Sequence, residues 1–298
     1  MREYFSHSVK KELISALSKH CCEFAECYGM LICASSFSCR SISLYTENGS
    51  IAEKYCNSIK EICGINCAVY PPQSQKGGLY LCSVEDDKDR ALVLDWFSHK
   101  LNDVSIRINY ANFENDCCYA AFLRGAFLVC GSISDPQKNY RLEFSIQHKN
   151  LAADMVRVLF EVGINANITA RGNGYAVYIN ESEQIEDLLT LMGAQNSTMQ
   201  IMNVKIYKDI RNKANRLTNC ETANISKTAD AAARQLHAIK RLENNGKLEA
   251  LPDSLKFAAK IRLNNPDMSL NEMCALCGMS KSGLSRRLNK LIEISKMM

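Results

Sequence analysis

Cys117–Ser132 reads C-C-Y-A-A-F-L-R-G-A-F-L-V-C-G-S, and Cys21–Ser36, ninety-six positions earlier, reads C-C-E-F-A-E-C-Y-G-M-L-I-C-A-S-S. Five of the sixteen positions are identical: the cysteine pair, Ala25/Ala121, Gly29/Gly125 and Ser36/Ser132. Internal repetition at a fixed offset constrains a fold more strongly than any local pattern. Both copies carry small or compact residues at i, i+4 and i+8: Ala25, Gly29 and Cys33 in one, Ala121, Gly125 and Val129 in the other. That spacing sets them on one helix face, where a missing side chain lets two backbones approach. The repeat predicts two helices packed together at the centre of a pseudo-twofold domain.

The flanks repeat as well. After the first copy, S-I-S-L-Y-T-E-N (41–48) alternates like a strand, Ile51–Cys63 has helical spacing, and Gly64 stops it. Ile65–Tyr70 and Leu79–Val84 flank the turn-rich P-P-Q-S-Q-K-G-G (71–78) as a hairpin, and Asp87–Lys100, with the single tryptophan Trp96, closes the unit as a helix. In the second copy, a turn at D-P-Q-K-N (135–139) predicts a short strand at Ser132–Ser134 paired with 140–146. Leu151–Val162 is helical up to Gly163, Asn165–Ala170 and Tyr175–Ile179 make the hairpin, and Glu183–Met192 closes the unit. Each half is expected to run helix, hairpin, helix, hairpin, helix. Upstream, residues 1–20 suggest an amphipathic helix with Val9, Leu13 and Leu17 on one face.

No run approaches the roughly 20 apolar residues of a membrane span, and the mixed charges of M-R-E-Y-F-S-H-S-V-K-K-E-L argue against a secretory signal. A cytoplasmic protein is expected. The 15 cysteines are spread over helix-core positions, so Cys33, Cys56 and Cys63 read as small buried hydrophobes. Cys274-x-x-Cys277 has zinc-knuckle spacing without a second pair, so no metal and no cofactor are expected. The charge is uneven: residues 203–298 hold 18 Lys and Arg against 9 Asp and Glu, leaving 18 against 23 in the rest. A basic C-terminal third beside an acidic body directs any nucleic acid to the C-terminal end.

Residues 203–227 read as a basic linker, including K-I-Y-K-D-I-R-N-K-A-N-R and the polar N-C-E-T-A-N-I-S-K-T. Thr228–Asn245 is helical, with Ala229, Ala232, Leu236, Ile239 and Leu242 apolar, and Gly246 ends it. Ser254–Leu263 is a further helix stopped by N-P-D (265–267). Ser269-Leu270-Asn271-Glu272 is a capping box opening a helix with Leu270, Met273, Cys274 and Cys277 inward. Gly278-Met279 makes a turn, Ser280 caps the last helix, and Leu284, Leu288, Leu291 and Ile292 form its core stripe. Two short helices joined at a glycine, the second cationic on its open face, predict a helix-turn-helix. Ser269, Ser280, Lys281, Ser282, Ser285, Arg286, Arg287 and Lys290 are the candidate DNA contacts: Ser and Arg at base edges, Lys and Arg on phosphates. The alternative is a solvated surface helix in a helical hairpin.

The paired central helices resemble those of LAGLIDADG homing endonucleases, which meet at the centre of αββαββα dimers or pseudo-dimers. The resemblance places the metal-binding acids of that family at Ala34 and Cys130, and neither is a carboxylate. Two-metal phosphodiester cleavage needs oxygen ligands, so no catalytic residue is assigned. Asp135 is the one acid considered as a substitute. With the C-terminal helix-turn-helix, the chain resembles the WhiA family of sporulation and cell-division transcription regulators. C-C-Y-A-A-F-L-R-G-A-F-L-V-C-G-S-I-S-D-P (117–136), R-N-K-A-N-R-L-T-N-C-E-T-A-N-I-S-K-T (211–228), S-K-S-G-L-S-R-R-L-N-K-L (280–291) and the opening F-S-H-S-V-K-K-E-L carry that likeness. It implies a DNA-binding protein acting on transcription without a cofactor. Arg211, Asn215, Arg216 and Lys227, in a donor-rich strip with Asn212, Asn219 and Asn224, are further DNA candidates, or else their side chains satisfy local backbone groups.

The expected fold is α+β: a pseudo-twofold LAGLIDADG-like domain of two αββαββα units followed by an all-α helix-turn-helix domain. Its divisions are 1–110, 111–202, a linker at 203–227 and 228–298. The expected function is a non-enzymatic, sequence-specific DNA-binding regulator associated with the nucleoid, whose partner is double-stranded DNA, with RNA polymerase or another transcription factor as a further candidate partner. The competing expectations are a metal-dependent endonuclease and a protein-interaction scaffold.

Overall fold

The computed structural model describes residues 4–16, 19–72, 78–101 and 105–297. They cluster into two compact units, Met1–Tyr207 and Lys208–Met298.

In the first unit, helix α1 (Phe5–Ile14) buries Val9 and Leu13; Leu17 lies outside the described residues, as does most of the turn expected over 71–78. Two repeats follow. The first runs α2 (His20–Ile32), β1 (Ser36–Phe37), β2 (Ile42–Thr46), α3 (Gly49–Cys63), β3 (Ala68–Tyr70), β4 (Tyr80–Val84) and α4 (Asp87–Trp96). The second runs α5 (Asp116–Cys130), β5 (Gly131–Ile133), β6 (Leu142–Ile146), α6 (Lys149–Glu161), β7 (Asn167–Arg171), β8 (Gly174–Ile179) and α7 (Ser182–Met192). The antiparallel sheets share one order, β1-β2-β4-β3 and β5-β6-β8-β7. Inward residues pair across corresponding strands, Leu44 with Cys82 and Phe144 with Val177. The αββαββα repeat expected from the sequence is therefore present twice.

The two central helices run parallel, and their contact obeys the repeat. A Cβ built on Gly29 would strike the Phe122 carbonyl oxygen and stand 3.1 Å from Ala126 N. One built on Gly125 would strike the Glu26 carbonyl oxygen and stand 3.1 Å from Met30 N. Each glycine thus opens the space into which the opposite backbone fits, and the flanking Ala25 and Ala121 are buried with them. The segment joining the repeats is pinned over this pair. Tyr28 Oη accepts a hydrogen bond from Asn109 N at 2.7 Å, and Arg107 grips the buried Asp154 carboxylate with Nη2–Oδ1 at 2.7 Å and Nε–Oδ2 at 3.1 Å.

Residues 203–227, read from sequence as a basic linker, are regular helix and not irregular chain. They belong to one helix, α8 (Gln195–Asn244), whose fifty residues contain neither glycine nor proline. Polar Asn, Ser and Thr lower helix propensity by fractions of a kcal/mol each, which is not enough to break a helix. Its first turn is capped from a distance by Glu12 of α1: the carboxylate accepts from Asn196 N at 2.7 Å and from Ser197 N at 3.0 Å, where the helix dipole favours negative charge.

The second unit holds the C-terminal part of α8 with α9 (Asp253–Asn264), α10 (Leu270–Cys277) and α11 (Lys281–Lys296). Ile239, Leu242, Ala258, Ala259, Met273, Leu284, Leu288 and Leu291 form its core. The α8 stripe is rotated from the expected one: Ala229 is exposed and Leu236 half-buried, whereas Gln235 and Ala238 point inward. On α11, Ile294 packs against the core and Ile292 is only half-buried, because 284, 288, 291 and 295 share the inward face of a 3.6-residue turn. All 15 cysteines are free thiols; Cys33 and Cys56 are buried, and Cys63 is half-buried. Among the described residues no helix is long and apolar enough to cross a membrane.

Candidate nucleic-acid interface

The helix pair α10–α11 is delimited by three local devices. Ser269 and Glu272 form the capping box, with Glu272 N to Ser269 Oγ at 3.3 Å and Ser269 N to Glu272 Oε2 at 2.7 Å. That backbone hydrogen bond holds the Glu272 carboxyl below its ordinary value. Gly278 ends α10 at φ 66°, in the left-handed region, where glycine carries no Cβ penalty. Ser280 then accepts from Gly283 N at 3.2 Å and starts α11.

The approach to α10 is held by a residue that spacing does not reveal. Arg262 on α9 is 1% exposed. It donates to Gln235 Oε1 at 2.9 Å and to the Met268 carbonyl at 2.6 Å, so it ties α8 and the 265–268 bend together from inside. Burial lowers its pKa, and the Gln235 amide and the carbonyls compensate by solvating the charge.

Outside this frame, Ser280 and, on α11, Lys281, Ser282, Arg286 and Lys290 are exposed, with Ser285 half-buried. Ser282, Ser285, Arg286, Asn289, Lys290 and Glu293 border a shallow concavity. Asn289 belongs to this face at i+3 from Arg286, although the charge pattern did not single it out. Arg287 is turned back instead: it is half-buried, with Nη1 3.3 Å from Met279 Sδ in the turn. Lys290 pairs with Glu293 at 3.2 Å, an exposed contact of little energy that a phosphate can replace.

A second depression of about 230 Å³ brings together residues far apart in sequence: Lys227, Ser269, Asn271 and Lys281, over Gln235 and Arg262. Of the α8 candidates, Lys227 therefore joins the helix-turn-helix. Arg211, Asn215 and Arg216 are exposed on α8 and do not line that depression.

In the first unit, the C-terminal ends of α2 and α5 converge on a cavity of about 260 Å³. Ala34 and Cys130 both line it, as do Cys33, Ser35, Gln147 and His148. Among the described residues no carboxylate borders it. Asp135 lies elsewhere, closing the β5–β6 turn by accepting from Gln137 N at 2.9 Å. The Cys33 thiol is held well above its ordinary value by a hydrogen bond with Cys130 and by burial, so it stays protonated.

Family models for the WhiA LAGLIDADG-like domain and the WhiA C-terminal HTH domain match residues 119–211 and 214–295. Over 310 aligned positions the chain is 36% identical to a "Probable cell division protein WhiA" of Alkaliphilus oremlandii, covering 98% of this chain and 96% of that one. The chain belongs to the WhiA family. A WhiA relative of the same description from Oceanobacillus iheyensis is 33% identical over 305 positions, with 98% and 96% covered. Full-length DUF199/WhiA from Thermatoga maritima shares the WhiA fold across 99% of both chains, with a TM-score of 0.60 at 24% identity. The isolated N-terminal LAGLIDADG domain of DUF199/WhiA aligns with 65% of this chain and 95% of its own, with a TM-score of 0.50 at 20% identity. The WhiA LAGLIDADG-like family model begins at residue 119, and the fold shows the same repeat unit from α2 onward.

Proposed function

We propose that this WhiA-family chain is a sequence-specific DNA-binding regulator of transcription linked to cell division and sporulation, acting on the nucleoid in the cytoplasm. Its helix-turn-helix reads the site, and its LAGLIDADG-like body is catalytically inactive. The observation that carries the reading is the face of α11. Exposed Lys281, Ser282, Arg286 and Lys290 stand on a helix whose start is set by Ser280 and Gly278, in the part of the chain that holds the surplus of positive charge. Arg286, with Ser282, Ser285 and Asn289 around it, supplies the donors that recognise base edges in a major groove. Lys281, Lys290 and Lys227 supply phosphate contacts, and Ser269 lies beside Lys227 and Lys281 at the same depression. Arg287 supports the turn through Met279 and contributes charge to the rim.

The inactive body is supported by the cavity at the ends of α2 and α5. Thiols, hydroxyls, an amide and an imidazole border it, and these do not make the hard oxygen cage that magnesium-dependent cleavage needs.

The test is a fluorescence-polarisation titration of the full chain against genomic fragments enriched by binding, over a salt series. Binding of this kind loses affinity with a log–log slope of about −0.9 per neutralised phosphate. An affinity indifferent to salt contradicts the proposal, and a nick in supercoiled plasmid with magnesium contradicts the inactive body.

A further inference from the structure

The cysteine pair that opens each repeat is brought together by the fold. Cys21 and Cys22 start α2, and Cys117 and Cys118 start α5. Because the helices are parallel and in register, the four thiols meet at one end of the pair. Cys21 Sγ and Cys117 Sγ are 3.9 Å apart, and the sulfurs of Cys21, Cys22 and Cys117 all lie within 4.8 Å of one another. Cys118 Sγ, outside that mutually close set, donates to the Cys21 carbonyl oxygen at 3.6 Å.

We propose that Cys21, Cys22 and Cys117, completed by Cys118, form a thiolate site for a zinc-class divalent cation that clasps the two central helices at their N-terminal ends. Two observations converge on this chemistry. Zinc–sulfur bonds of about 2.3 Å in a tetrahedron put neighbouring sulfurs about 3.8 Å apart, close to the 3.9 Å between Cys21 and Cys117. The thiols also stand in the first turns of two helices that have no side-chain cap at their N-termini, where the helix dipole favours thiolate. Each thiol that ligates releases its proton to solvent, and the cation takes up the resulting charge.

The site is separate from the DNA-reading helix and from the cavity at the opposite ends of α2 and α5. Cys274 and Cys277, whose spacing suggests a metal knuckle, pack half-buried against the second core with Cys277 Sγ 3.9 Å from the Cys274 carbonyl. They serve as the control.

The experiment uses the full chain purified under reducing conditions without chelator. Elemental analysis is expected to find about one zinc per chain, and cobalt added to stripped protein is expected to give thiolate charge-transfer absorption of a tetrahedral centre. Loss of even an outer partner of a metal site costs about 10–100-fold in affinity, so Cys117→Ser and Cys21→Ser should each lose at least about tenfold. Cys274→Ser should bind as the parent does. Cys117 is at the surface, and the circular dichroism of its variant reports folding independently. Cobalt binding without thiolate absorption, binding unchanged in Cys21→Ser and Cys117→Ser, or a metal-free chain with Cys21 and Cys117 cross-linked would each overturn the proposal.

Discussion

Arg124 and Glu26 form a buried ion pair across the central helices, with Nη2–Oε2 at 2.6 Å and Nε–Oε2 at 3.0 Å. The two side chains are 7% and 2% exposed. The pair breaks the symmetry of the repeat: the positions equivalent to Glu26 and Arg124 are Phe122 and Tyr28, both fully buried apolar rings. Arg124 also donates to the Met192 carbonyl at 3.3 Å, tying α7 to the pair. Glu26 Oε1 also lies 3.6 Å from Lys54 Nζ, so removing Arg124 leaves the buried carboxylate with a more distant, part-exposed cation. Arg124→Met is expected to destabilise the first unit by up to about 3–5 kcal/mol, while the double variant Arg124→Met/Glu26→Leu recovers part of that loss. Urea unfolding of the three proteins measures both effects.

The reciprocal glycines predict a second stability effect. A methyl at Gly29 or Gly125 meets backbone rather than a movable side chain, so the helices must separate. Each alanine variant is expected to lower stability by about 1–3 kcal/mol or more, although alanine is the better helix former. An unchanged urea midpoint for Gly29→Ala would contradict the close approach.

The capping box predicts a pH effect confined to the second unit. Glu272 has a folded pKa below its ordinary value of 4.5, through its hydrogen bond from the Ser269 backbone. A lowered carboxyl contributes stability that is fully present above the unfolded value and is lost as pH falls through the folded one. Glu272→Gln should flatten that part of the acid titration by losing stability at neutral pH, and should converge with the parent as pH falls through the folded value. Ser269→Ala should cost about 1 kcal/mol at all pH values. Thermal unfolding followed at several pH values separates the two.

Lys227 and Lys281 border one depression and are the proposed phosphate contacts. Each Lys→Ala change is expected to weaken all duplexes alike and to reduce the salt slope by about 1. Titrations of enriched and scrambled DNA over a salt series provide the check.

Much of this architecture was legible in the sequence. Gly29 and Gly125 betray the helix crossing because only a missing side chain fits there, and the alternation at 41–48 and 140–146 marks the strands by pleat geometry alone. The capping box and Gly278 were readable because their chemistry is local. The relationships that escaped are non-local or depend on what a pattern lacks. Polar composition at 203–227 resembles a linker, yet without glycine or proline it propagates as α8. Glu12 caps that helix from 184 positions away, and Arg262 meets Gln235 across 27; no periodicity encodes either. Arg287 carries the same charge as Arg286, and only its packing on Met279 separates their roles. The doubled cysteines were visible as a repeat marker, but their convergence follows from the parallel register of α2 and α5.

The central claim is that α11 reads DNA, and Arg286→Ala tests it most directly. Affinity is measured at one salt concentration for the enriched duplex and for a scrambled one. A base-reading arginine is worth about 1–3 kcal/mol, so the variant should bind the enriched duplex roughly 5- to 150-fold more weakly and the scrambled duplex almost as before. A variant that still discriminates between the two duplexes as well as the parent would contradict the account.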